Sequence, residues 1–222
     1  MFGSYDSNSM PDPSLKRYRI YRGKVAFGRD ENMVTGDFIG GYLRGISSRM
    51  VDSSYQSGDG GQVKLYDLEF EDDKTGEHFI LTLAQTNGSS RDIFRCLKNI
   101  DDFKDAVLKI DVRLSEDSSR PGRTYTNAYV RSNGVRVKWA EDFPKPEKVE
   151  DPAANGGFRF DFSNVYAAMD EIADELAERL GVKKKEEDDL PAATAEEMHV
   201  NEVPDQGPVA GMPEEEDYDF GL

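Results

Sequence analysis

Between residues 40 and 140, apolar and polar side chains alternate in short runs, each closed by turn residues. A period of two is the pattern of a strand that buries one face and wets the other, and a slip of one residue would turn the whole apolar set to solvent. Such runs occupy 42–50, 63–71, 78–85, 107–114, 124–130 and 135–139. Gly40-Gly41 precedes the first, and a Ser/Gly-rich loop at 52–61 leads to the second. Asp72-Asp73-Lys74-Thr75-Gly76 turns the second into the third, where Phe79, Leu81 and Leu83 share a face. Leu108, Ile110, Val112 and Leu114 do the same in the fourth. Asn133-Gly134, between the last two runs, signals a two-residue hairpin, because a type I′ turn needs positive φ at both central positions. A chain patterned this way is mainly β.

One connection is helical. Asn87-Gly88-Ser89-Ser90 opens it, a serine before Asp92 is the expected N-cap, and Ile93, Phe94, Leu97 and Ile100 have helical spacing. Three strands, one short helix and two or three further strands is the element order of an OB-fold, a five-stranded Greek-key barrel whose helix joins its third and fourth strands. A plain α+β sheet is the competing architecture. The expected barrel domain spans 16–140, after a polar lead at 1–15 expected to be disordered. Pro144, Pro146, Pro152 and Asn155-Gly156-Gly157 mark 141–162 as a linker. An amphipathic helix is expected at 163–181, capped by Asp161 or Ser163 and ended by Gly181, with Val165, Met169, Ile172, Leu176 and Leu180 as its apolar stripe. The stripe should pack on the barrel; self-association into a homo-oligomer is the weaker alternative, since the repeat is short.

Charge is distributed unevenly. Of 44 acidic residues in the 222-residue chain, 13 fall in 186–222, where there is no Lys or Arg, so that segment carries −13 of the formal −16. Residues 14–140 hold 21 bases against 18 acids. Net charge alone would argue against a polyanionic ligand, but it hides this distribution. Residues 182–222 cannot bury enough apolar surface to offset their ordering entropy, so they are expected to form a disordered acidic arm. At 16–29, by contrast, six bases and no acid interleave with Tyr18, Tyr21 and Phe27.

The hairpin around Asn133-Gly134 carries the functional signal. With those two residues as the turn, Arg131 faces Arg136, Val130 faces Val137, and Tyr129 faces Lys138. Directly opposed residues share a side of the sheet. One face then shows Arg123, Tyr125, Asn127, Tyr129, Arg131, Arg136 and Lys138, while Thr126, Ala128, Val130, Val137 and Trp139 suit a core. Opposed arginines destabilise a hairpin unless something anionic lies across them. Exposed rings between cations are what single-stranded nucleic acid requires, since bases stack on rings and Lys or Arg follows the phosphates. Ordinary strand tyrosines on a solvated face are the plain alternative. Tyr42 with Arg44, Lys64 with Tyr66, and Arg19, Tyr21 and Arg22 in the basic stripe repeat the mixture and extend the candidate surface.

Signals for chemistry are missing. The sequence contains no phosphate-cradling Gly-Lys-Ser/Thr loop and no His-based triad, and one Cys with two His makes no zinc-type ligand set. No catalytic residue, metal site or cofactor is therefore assigned. Cys96 lies among apolar neighbours and reads as a core residue; Asp72-Asp73 and Asp101-Asp102 read as solvated turn acids. No stretch approaches the roughly 18 apolar residues of a membrane span, and no signal peptide is visible, so a cytoplasmic protein without membrane attachment is expected.

The layout of 16–222 resembles the single-stranded DNA-binding proteins of bacteria and, more closely, of bacteriophages. The most specific element is the end of the tail, Glu214, Glu215, Glu216, Asp217, Tyr218, Asp219, Phe220, Gly221 and Leu222, an acid run closed by aromatic and apolar side chains. The resemblance implies one OB-fold, no enzymatic activity, and a role in coating single-stranded DNA during replication, recombination or repair. It also implies that this tail recruits replication and recombination proteins and competes with DNA for the groove. A protein-interaction module and an RNA-binding OB protein are the alternatives.

Overall fold

The computed structural model describes residues 15–28, 30–52, 61–103, 105–117, 122–151 and 157–182. The expectations for the N-terminal lead, the loop at 53–60 and the acidic tail with its tip residues 214–222 lie outside the described residues. The alternating runs become strands, joined by others. In chain order these are β1 (Lys16–Tyr21), β2 (Lys24–Phe27), β3 (Val34–Gly36), β4 (Phe38–Asp52), β5 (Gln62–Glu71), β6 (His78–Ala84), β7 (Val107–Glu116), β8 (Thr124–Ser132), β9 (Val135–Arg136), β10 (Glu147–Glu150) and β11 (Phe158–Asp161). The helices are α1 (Gly88–Leu97) and α2 (Ser163–Arg179). The protein is mainly β. Nine strands join one sheet in the order β3-β2-β1-β6-β5-β4-β7-β8-β9, and its ladder does not close.

β4 organises the sheet because it serves two partners. Its first part, Phe38 to Tyr42, pairs with β7, and from Tyr42 to Asp52 it pairs with β5. Glycines allow the crowding where the ladders overlap: a Cβ on Gly40 would stand 2.3 Å from the Leu108 carbonyl oxygen, and one on Gly41 2.2 Å from that of Glu71. The register then shifts between Leu43 and Gly45, leaving Arg44 as a bulge that bends the strand.

The basic stripe expected at 16–29 is a hairpin of β1 and β2, and β1 adds in parallel to the free edge of β6. Its turn uses Arg22 and Gly23, both at positive φ. The Gly23 N–H donates to Thr126 Oγ1 at 3.1 Å, and the glycine lies so close to Leu114 that a Cβ there would be 2.6 Å away. The hairpin tip thus leans on β7 and β8 by side-chain contact without extending the ladder.

Ile20, Leu43, Tyr66, Leu68, Phe70, Leu81, Ile110 and Val130 form the inner face. Both helices cover it. Ile93, Phe94 and Leu97 of α1 are buried, as are Val165, Met169, Ile172 and Leu176 of α2. α2 ends as its glycine requires: Gly181 has φ +72°, its N–H donates to the Glu178 carbonyl, and the Val182 N–H reaches back to Ala177.

Several local expectations need correcting. α1 starts from Asn87 with no side-chain cap, and Ser89 and Ser90 lie inside the helix. Residues 141–162, read as a linker, contain the β10–β11 ladder, whose Phe158 and Phe160 rings meet edge to face. Trp139, placed in the core by alternation, is 39% exposed. The reason is that β9 stops at Arg136 and the chain turns onto α1, where the Ala140 N–H donates to the Arg95 carbonyl and the Arg95 guanidinium lies 4.3 Å from the indole centroid.

Candidate nucleic-acid interface

The hairpin register at the site is the one its Asn-Gly turn dictates. Arg131 pairs with Arg136 and Ser132 with Val135, around Asn133 (φ +50°) and Gly134 (φ +83°). Ala128 and Val130 point inward and are fully buried, so Tyr125, Asn127, Tyr129 and Arg131 stand on the outer face. Arg123 is half-buried at the start of this strand, Tyr125 is 43% exposed, and Lys138 is exposed just beyond β9.

The opposed arginines have local partners. Arg131 donates its Nε–H to Asp111 Oδ2 at 2.9 Å, and the Arg136 guanidinium lies over the Tyr129 ring, 4.4 Å from its centroid. Their juxtaposition alone therefore does not demand a bound polyanion. What the neighbouring strands add is more informative. Lys109, Asp111 and Arg113 of β7 face the same side, opposite Arg131, Tyr129 and Asn127. Phe38 of β4 pairs with Asp111, is 57% exposed, and carries Lys109 Nζ 3.8 Å from its ring centroid. Lys109, Arg113, Arg131 and Arg136 thus share this face with the rings of Phe38, Tyr125 and Tyr129; Asp111 pairs with Lys109 and Arg131, and Asp37 acts on Arg113. Phe38, Lys109 and Arg113 were missed at the sequence level. The two cations could have been found, since they alternate with Leu108, Ile110 and Val112; Phe38 needed the β4–β7 register.

The remaining predicted residues divide. Tyr42 stays on the outer side of β4, but Arg44, at the bulge, donates to Glu71 at 2.7 Å while lying 4.7 Å from the Tyr42 centroid. Arg22 lies 5.2 Å from the Tyr21 centroid at the hairpin tip beside β7 and β8, whereas Arg19, mid-strand, donates to the Gly28 carbonyl at the open end of the hairpin. Tyr66 is not a surface residue. It is wholly buried, its ring packs 4.7 Å from that of Phe94, and its hydroxyl donates to Asp170 at 2.7 Å while accepting from Gln85. Burial and the Asp170 carboxylate together push its phenol well above the ordinary range. Lys64 is likewise held by Asp170, at 2.9 Å. Both face α2 because they share parity with Leu68 and Phe70, the inward side of β5.

Four other acids bound the site, one behind β8 and three beside the β8–β9 turn. Asp92 of α1 accepts the Ala128 N–H behind β8, and burial raises its carboxyl to about 6. A cavity of about 310 Å³ beside the β8–β9 turn is lined by Asp101, Asp102 and Asp105, the wrong sign for an anion. Among the described residues no cluster of His, Cys, Asp or Glu could hold a metal ion, and no helix is long and apolar enough to cross a membrane. No family model, curated protein or solved structure matches this chain.

Proposed function

We propose that this chain is a non-enzymatic single-stranded DNA-binding protein that coats and protects unpaired DNA in replication, recombination or repair. The observation that carries the reading is the outer face of β4, β7, β8 and β9, where Phe38, Tyr125 and Tyr129 alternate with Lys109, Arg113, Arg131 and Arg136. Rings of this kind take bases of any identity, and the cations follow phosphates, which suits a coat with little sequence preference. An OB-type ancestry for the domain is part of the proposal. It is supported by the run β6-β5-β4-β7-β8, an antiparallel series with one helix between β6 and β7. The β1–β2 hairpin then stands at the seam that a closed barrel would zip. The acidic C-terminal segment would recruit replication and recombination proteins and compete with DNA for the cationic face.

Titrating the full chain into labelled oligo-dT, oligo-U and duplex DNA of equal length tests the reading. Oligo-dT should bind tightest, and its affinity should fall steeply with salt as counterion release becomes less favourable. Preference for oligo-U would move the assignment to RNA. Binding to none of the three would overturn it in favour of a protein-interaction module.

A further inference from the structure

The candidate face is ruled by two rows that run across the strands. Phe38, Asp111 and Tyr129 form one, in register on β4, β7 and β8. Gly40, Lys109, Arg131 and Arg136 form the next. Neighbours within a row stand about 5 Å apart, and the two-residue step between rows is about 6.6–7 Å. A row of rings thus lies beside a row of cations, and Gly40 contributes no side chain to the β4 end of the cation row. One group interrupts the pattern. Asp111 sits between the two rings and reaches both neighbouring cations, 3.4 Å from Lys109 along its own strand and 2.9 Å from Arg131 diagonally across on β8. Its side chain is only 17% exposed, so water screens it poorly.

We propose that Asp111 is a resident competitor for nucleic-acid phosphate, holding Lys109 and Arg131 in the free protein and weakening the grip on DNA. The proposal rests on the single-strand reading above and adds a path: the strand crosses the sheet with bases over Phe38 and Tyr129 and phosphates along Lys109, Arg131 and Arg136. A phosphate reaches Arg131 only by sharing it with a carboxylate of like charge. Lys109 and Arg136 also lie over the Phe38 and Tyr129 rings, 3.8 and 4.4 Å from their centroids, so bases stack there as those cations move onto phosphate; the penalty that Asp111 adds is electrostatic and depends on salt. The opposite role, a clamp that aims Arg131 at phosphate, predicts the opposite sign.

Asp111→Asn separates the two, because it keeps the shape and an acceptor for the Arg131 Nε–H but removes the charge. In the full chain, oligo-dT affinity should rise about five- to tenfold at low salt, and the slope of log K against log salt should steepen by about 0.7. Asp111→Ser, which removes charge and shape together, should move both readouts in the same direction, while Asp111→Glu should leave the slope unchanged. Weaker or equal binding by the Asn and Ser variants, with melting curves like the parent's, overturns the proposal and leaves the single-strand reading standing. Failure of the unaltered protein to bind oligo-dT removes that reading, and the proposal with it.

Discussion

β5 and β7 are both ten-residue strands that flank β4, and they carry opposite chemistry on their outer faces. β5 turns Asp67, Glu69 and Glu71 outward, and cations on its neighbours answer them. Arg17 and Arg49 meet Asp67 at 2.9 and 3.2 Å, with the Thr82 hydroxyl donating to its other oxygen, while His78 meets Glu69 at 3.0 Å and Arg44 meets Glu71 at 2.7 Å. β7 turns Lys109, Asp111 and Arg113 outward, beside Arg131 and Arg136; Asp111 meets Lys109 and Arg131, and Asp37 acts on Arg113, so two carboxylates stand among four cations. Ladder geometry is shared; charge matching is not. The β5 side is a structural network whose charges satisfy one another, and only the β7 side keeps a surplus that a polyanion could use.

Three measurements can break or sharpen that contrast. The largest effect is expected at Asp67, which is buried and holds two guanidiniums. Asp67→Ala should cost about 2–3 kcal/mol of stability by denaturant unfolding, somewhat less than a fully buried pair because both arginines remain partly hydrated. Its oligo-dT affinity should not change; a loss of binding at parental stability would move the interface to the β5 side. Next comes Asp92, behind β8. Its folded carboxyl, near 6, lies above the roughly 3.9 of an unfolded aspartate, so the folded state binds more protons between those values. Stability should therefore be highest below about pH 4 and decline as pH rises through about 6. Asp92→Asn, which keeps an acceptor for the Ala128 N–H, should gain about 1–3 kcal/mol at pH 7.5 and flatten that slope. A variant that kept the full decline would assign it to another group. The smallest effect is on binding: Tyr129→Ala should cost about 1–2 kcal/mol of oligo-dT affinity, whereas Arg44→Ala on the matched side should cost less than about 0.5 kcal/mol. Equal losses at the two positions would erase the distinction.

Local signals were readable wherever one turn or one periodicity decided the outcome. Asn133-Gly134 set the β8–β9 register because its backbone requirement is met within two residues. Gly181 ended α2 for the same kind of reason. Tyr66 shows the limit. Grouping it with Lys64 as a ring beside a cation ignored its parity with Leu68 and Phe70, and only the arrival of α2, with Asp170, reveals what that hydroxyl and ammonium are for. Trp139 failed in the other direction, since alternation was extended past the point where pairing with β8 stops.

From the sequence alone came the mainly β character, the hairpin face with Tyr125, Tyr129, Arg131 and Arg136, and the concentration of acid near the C-terminus, because each depends on neighbours a few positions apart. Which cations remain unmatched was decided by tertiary structure. Charge balance on a sheet is settled across strands, between residues such as Arg17 and Asp67 or Arg131 and Asp111 that are 50 and 20 positions apart in the chain, and no local pattern encodes that pairing.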